Sequence, residues 1–373
     1  MKLTEEDYRY IVYLQRQLLQ DDWKSIFDAA KWKSWAASNA DRLQILAEHT
    51  HGLDNQSATK YLEGFASFNP DTEYEIPTTK AIFEPILNAV QKAASTIGIE
   101  PTRPIVLFTS TDISVSPAAR PTTTDHLLFV GPGTYTFCNY WAKCATGVVM
   151  AIAPAIGIKN IENSGDLDAV FRKDPFGLVL AARLALYYGS FGTAIGSGEI
   201  KQPAEYTAYR LQLVHAMETF SIAHEYAHFV AQERLLEATG ILDSIESQQL
   251  ELFCDELGLA ISRECGNAAN NYLTFAGIGS LVFFRAVQLC ESVRELLLAS
   301  LPQFTNTKRP CGTSDSHPAP EERIEKMKLR MYENTDPDQR PQLEKFVEEY
   351  DRILSIVAAA AIEAIARSLD QQN

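Results

Sequence analysis

His224, Glu225 and His228 stand in the order His-Glu-x-x-His within the 373-residue chain. Four residues advance an α-helix by slightly more than one turn, so both imidazoles project from one face and can grip one metal ion. The glutamate between them then sits beside the ion's open coordination position. With zinc in that place, a bound water ionises near pH 7 and a carboxylate can take its proton as the water attacks a carbonyl. These residue types at this spacing point to hydrolysis of a peptide bond, with one zinc ion per chain and Glu225 as general base then acid.

The motif lies in the run AEYTAYRLQLVHAMETFSIAHEYAHFVAQERLLEA, which starts at Ala204 and contains neither Pro nor Gly. Tyr209, Leu213, Met217, Phe220 and Ala227 recur at helical spacing, and Gly240 follows as a stop signal. The metzincin pattern would continue with a Gly and a third His, but Ala231 and Arg234 occupy those positions, which excludes that class. A second helix is expected in SIESQQLELFCDELGLAISREC, where Leu250, Phe253, Leu257 and Ile261 form an apolar stripe. Glu251 and Asp255 stand four apart on another part of that helix, so one carboxylate can bind metal while the next orients a ligand imidazole. The expected ligands are His224, His228 and Glu251, with Asp255 behind them. Cys254, one helical turn from Glu251, is within reach of the metal, but its place in the apolar stripe favours ordinary packing.

Glu251-Leu252-Phe253-Cys254-Asp255 resembles the Glu-x-x-Ala-Asp segment that follows His-Glu-x-x-His in gluzincins of the CAAX prenyl protease and heat-shock peptidase group. Cys254 stands where Ala is usual. The same group carries a late His-Pro-x-x-x-x-Arg-Ile segment, and this chain reads His317-Pro318-Ala319-Pro320-Glu321-Glu322-Arg323-Ile324. The resemblance covers roughly residues 205 to 330 and implies zincin-like catalytic helices and a zinc endopeptidase acting on protein or peptide. It also implies catalytic parts near the substrate or oxyanion for His317 and Arg323. A weaker resemblance, carried by His-Glu-x-x-His alone, is to the Lit-type phage-exclusion peptidases.

Composition bounds these readings. The formal net charge of −15 argues against a broad basic surface for nucleic acid or anionic lipid, and 46% hydrophobic residues suffice for a core. No segment reaches the roughly 18 to 20 uninterrupted apolar residues of a membrane span. The start MKLTEEDYRYIVYLQRQ is acidic where a secretory signal needs a basic start and an apolar run, so the cytosol is the expected compartment. Six cysteines show neither a Cys-x-x-Cys pair nor disulfide-framework spacing and read as reduced thiols.

The fold expected is mainly α with a small sheet. Apolar spacings of three and four predict helices over Glu5 to Leu19, Trp23 to Ala37 and Thr79 to Ile97, then over Phe137 to Ile152 and Pro175 to Tyr188, the last capped by Asp174. Between these sets lie β-rich runs at Pro104 to Thr109 and His126 to Val130. His126 to Val130 is the candidate edge strand for pairing with extended substrate, and Gly131-Pro132-Gly133 is a turn or rim after it. The glycine-rich stretch around Gly189, Gly192, Gly196 and Gly198 lacks the Lys-Ser or Lys-Thr of a phosphate loop and reads as a mobile linker or active-site flap.

Three regions are expected: a helical one over 1–98 for substrate or partner recognition, a catalytic domain over 99–335, and a C-terminal helix over 336–373 packing on it. His215 points about 180° away from His224, and His49 and His51 read as solvent-exposed. The alternative to a peptidase of narrow or conditional specificity is a non-catalytic zinc scaffold, a sensor or partner-binding protein in stress response or phage defence. Retention of Glu225 argues against it, because a structural metal site needs no base.

Overall fold

The computed structural model describes residues 5–17, 29–38, 74–110, 115–122, 124–155, 175–198, 202–239, 247–301 and 317–370, with a few isolated positions between these stretches. The element order is α1 (Glu5–Gln17), α2 (Ala29–Ser38), α3 (Pro77–Thr96), β1 (Ile105–Thr109), β2 (Ala118–Pro121), β3 (His126–Val130), α4 (Pro132–Ala155), α5 (Phe176–Phe191), α6 (Thr207–Thr239), α7 (Ser247–Ala268), α8 (Tyr272–Phe275), α9 (Ile278–Ser300), α10 (Pro320–Glu333) and α11 (Arg340–Asp370). The chain is thus mostly helical with one small sheet, as its periodicities predict. Trp23, Tyr61, His49, His51, Asp174, Gly240 and Cys311 lie outside the described residues. The other five cysteines are buried and free.

The organising element is α6. No residue between Leu213 and Ala231 is exposed, so this stretch has no solvent face and must be packed on all sides. α3, α4, α7 and α9 surround it. Leu213, Met217 and Phe220 of α6 join a core with α4, α5, α9, α10 and α11. Ile222, Tyr226 and Phe229 join a second core with α3, the sheet and α7. Burial of an aromatic such as Phe220 or Phe229 stabilises each core by roughly 2–3 kcal/mol. The His-Glu-x-x-His motif falls on the seam between the two.

Strand order is β1-β3-β2, with β1 parallel to β3 (Ile105 opposite His126) and β2 antiparallel to it (Ala118 opposite Phe129). His126–Val130, expected at the edge, is therefore the central strand. All five of its residues are buried, as a continuous apolar run paired on both sides should be. The edge facing α6 is β2, whose Arg120 and Pro121 are residues that suit an unpaired edge.

Three local expectations also change. Pro132 begins α4 directly, since its fixed φ suits the first helical turn, so there is no separate rim after β3. The stretch 192–198 is a tethered turn: Gly192 caps α5 at φ 71°, Thr193 Oγ1 donates to the Ile113 carbonyl at 2.8 Å, and Arg183 donates to the Ser197 carbonyl. In α7 the expected apolar stripe is partly turned outward, with Phe253 43% exposed. The face carrying Glu251, Asp255 and Gly258 is the one buried against α6, because it has charged partners there and a glycine that permits close approach.

The sheet is fastened to α6 by Glu233. Its carboxylate accepts the Thr102 backbone N–H, Arg103 Nε at 3.0 Å and His126 Nε2 at 2.7 Å. Burial works against this charge, but the Thr102, His126 and Arg103 donors outweigh it and hold the carboxyl at about 2. A depressed carboxyl stabilises the fold fully above its ordinary value of 4.5 and loses that contribution as pH falls through about 2. Glu233→Gln should therefore cost roughly 1–3 kcal/mol in urea unfolding at pH 7, and the gap to wild type should narrow between pH 4.5 and pH 2. A gap that is constant with pH would mean that the charge of Glu233 does not hold the sheet.

Candidate metal centre

α6 brings the two imidazoles of the motif together, with His224 Nε2 and His228 Nε2 3.2 Å apart. α7 supplies the third group: Glu251 Oε2 lies 3.4 Å from His224 Nε2 and Oε1 lies 3.5 Å from His228 Nε2. Among the described residues, His224, His228 and Glu251 form a group able to hold a metal ion. Tetrahedral coordination with bonds near 2.05 Å separates ligand atoms by about 3.3–3.4 Å, so the three donors already stand at ligand spacing. Glu251 Oε2 is fully buried and makes no aligned hydrogen bond, although His224, His317 and Arg323 nitrogens lie 3.4 to 3.6 Å away. A buried carboxylate oxygen left in this way fits a cation ligand.

The approach of α7 to α6 is set by Gly258, one turn beyond Asp255. A Cβ at this position would lie 2.9 Å from both Cα and N of His224, closer than packed atoms come. The two backbones therefore touch at the first ligand itself, which is what lets short carboxylate side chains reach the imidazoles. Asp255 Oδ1 stands 3.0 Å from His224 Nδ1, an ion-pair contact off the ideal hydrogen-bond line. Asp255 is in turn held by Arg323 of α10, whose Nε and Nη2 each donate at 2.7 Å to a different carboxylate oxygen. The guanidinium lies 4.2 Å from the Phe284 ring centroid, so α9 covers its face.

For Arg323 two parts were open, a salt bridge that holds the Pro318 to Pro320 segment or direct reach to substrate; the guanidinium is buried in a two-pronged salt bridge with Asp255, the carboxylate that faces His224. His317, just before α10, is one-third exposed at its side chain, and its Nε2 lies 3.5 Å from Glu251 Oε2. It stands at the rim of the ligand cluster and is not within it. His215, on the far side of α6, contacts Thr219 Oγ1 at 3.4 Å.

Glu225 is buried and faces the sheet edge, where its Oε2 accepts the backbone N–H of Ala119 in β2 at 3.2 Å. Burial, helped by Glu251 and opposed by His224 and the Ala119 donor, pushes its carboxyl up to about 7. Glu251 is held at about 2, because contact with His224 and the nearby His228 and His317 rings outweighs burial. Burial would lower His224, but Asp255 and Glu251 raise it to about 10. His228, buried beside that charge, falls to about 4.

Sequence reasoning missed Gly258, the Ala119 N–H and the Arg323–Asp255 pair. Gly258 left a trace, since it continues the stripe of Glu251 and Asp255 by one turn. The other two depend on contacts 106 and 68 residues apart and leave none. No family model, curated protein or solved structure matches this chain.

Gly258→Ala should force α7 away from α6, weakening metal binding about tenfold or more and costing roughly 1–3 kcal/mol in stability. Chelator competition and thermal melting check both. Metal affinity equal to wild type would show that the helix spacing does not set the ligand geometry.

Proposed function

We propose that the chain is a zinc-dependent endopeptidase of the gluzincin type. The observation that supports this reading most is the convergence of His224, His228 and Glu251 at ligand spacing with a buried Glu225 beside them, which faces β2, an outer strand of the sheet among the described residues. A purely structural site gains nothing from a buried carboxyl placed this way.

His224, His228 and Glu251 would hold the ion. Zinc bound there supplies Lewis acidity, lowering the pKa of a water and polarising a carbonyl. The remaining work falls to the chain's own groups. Among the described residues no strand pairs with the outer side of β2; an extended peptide adding there would take over the Ala119 N–H from Glu225, and its scissile bond would lie alongside that carboxylate. Glu225, raised to about 7, accepts a proton from the attacking water and returns it to the departing amine nitrogen. Asp255 faces the Nδ1 side of His224 and keeps its Nε2 turned to the ligand cluster, while Arg323 keeps Asp255 in place. His317, at the rim, is placed to donate to the developing oxyanion.

Purified protein should contain about one zinc per chain by elemental analysis, and His228→Ala or Glu251→Ala should lose it. Glu225→Gln should keep the zinc and abolish turnover, since an amide cannot accept the proton. Amino-terminal proteomics of cells expressing wild type against Glu225→Gln should show new termini in wild type alone, and these would name substrates. Zinc retained in both ligand variants would overturn the ligand set, and identical termini in the two strains would favour the non-catalytic scaffold.

His317→Ala should leave the zinc content unchanged and lower kcat by roughly ten- to a thousandfold. Full activity in a folded, zinc-loaded variant would remove His317 from the mechanism.

A further inference from the structure

The two ligand imidazoles are backed differently. His224 Nδ1 faces the Asp255 carboxylate at 3.0 Å. His228 Nδ1 faces the Cys254 thiol, with Sγ at 3.4 Å, and this is the hydrogen-bond partner that the described residues provide for that nitrogen. Cys254 is fully buried and packs against Ala227 and Ala231, with Leu250 and Leu257 alongside.

We propose that Cys254 is a positioning residue for the metal centre, its sulfur accepting the Nδ1–H of His228 and so fixing that ring with Nε2 turned towards His224 and Glu251. The proposal rests on the reading of His224, His228 and Glu251 as metal ligands. An imidazole that binds through Nε2 carries its proton on Nδ1, and a buried Nδ1–H without an acceptor costs free energy. A thiol sulfur is a weak acceptor, but it is compact and apolar enough to lie among alanines and leucines. The ring is thereby held from behind without a second carboxylate next to Asp255 and Glu251. α7 thus serves the site through three groups one after another: Glu251 as ligand, Cys254 behind one imidazole and Asp255 behind the other.

The test compares full-length wild type with Cys254→Ser, Cys254→Val and Cys254→Ala, measuring zinc affinity against a chromophoric chelator and the thermal stability of the metal-free chains. Ser keeps an acceptor, Val keeps the volume without one, and Ala keeps neither. Loss of an imidazole partner behind a metal ligand typically weakens binding about 10- to 100-fold. Val and Ala should fall in that range while Ser stays within about threefold of wild type, and the visible spectrum of the cobalt-substituted protein should change in Val and Ala but not in Ser. Zinc affinity preserved in Val would overturn the proposal, because Cys254 would then act by packing alone. Affinity lost equally in Ser and Ala would overturn it as well, whatever the melting temperatures. A wild-type chain that binds no zinc in the same titration would instead overturn the metal reading itself, before any variant is compared.

Discussion

At His224 and Gly258 the backbones of α6 and α7 meet with no room for a methyl group between them. The contacts of Glu251 and Asp255 with the two imidazoles of the candidate metal centre depend on that approach. Carboxylate side chains are short, and with a Cβ at position 258 the helices would have to part, moving Glu251 and Asp255 away from the imidazoles they now face at 3.0 to 3.5 Å. A second glycine acts alike one helix further on: a Cβ at Gly279 would lie 2.3 Å from the Ala216 backbone, so α9 also sits directly against α6. α6 is thereby clamped on two sides at backbone contact, at Ala216 and at His224.

Charge burial is the opposing constraint. Glu225, Glu251, Asp255 and Arg323 are all buried within one cluster, where an uncompensated charge costs several kcal/mol. The Arg323–Asp255 pair meets the condition for a tolerable buried ion pair, two short parallel hydrogen bonds with an aromatic ring over the cation. Glu251 lacks such a partner, and its inner oxygen makes no aligned hydrogen bond. A buried carboxylate oxygen where two imidazole nitrogens converge is an arrangement that could hold a metal ion. Burial raises the Glu225 carboxyl, with Glu251 adding to the effect and His224 opposing it.

The position of the centre on the seam between two hydrophobic cores joins these constraints. The core of α4, α5, α9, α10 and α11 fixes the upstream half of α6, and the core of α3, sheet and α7 fixes its downstream half. The sheet enters through Glu233 at one end and Ala119 near the motif, so the edge strand cannot shift without disturbing Glu225. On the proposed reading, substrate alignment and general-base orientation would be coupled through the Ala119 N–H.

The sequence by itself determined the local facts: which residues sit on a helix, that His224 and His228 share a face, that Glu251 and Asp255 share another, and that the chain is mainly α with a little β. These follow from periodicity, a property of a few consecutive turns. Tertiary structure decided what depends on neighbours distant in the chain. His126–Val130 became the central strand because strand order is a matter of non-local pairing, although its unbroken apolar run already suited burial on both sides. Phe253 turned outward and the carboxylate face inward because ionic partners and a glycine on α7 outweighed a modest apolar stripe. Arg323 meets Asp255, and Cys254 stands behind His228, through contacts spanning 68 and 26 residues. A side chain's direction on a helix can be read from spacing, but what it meets there is settled only when the helices pack.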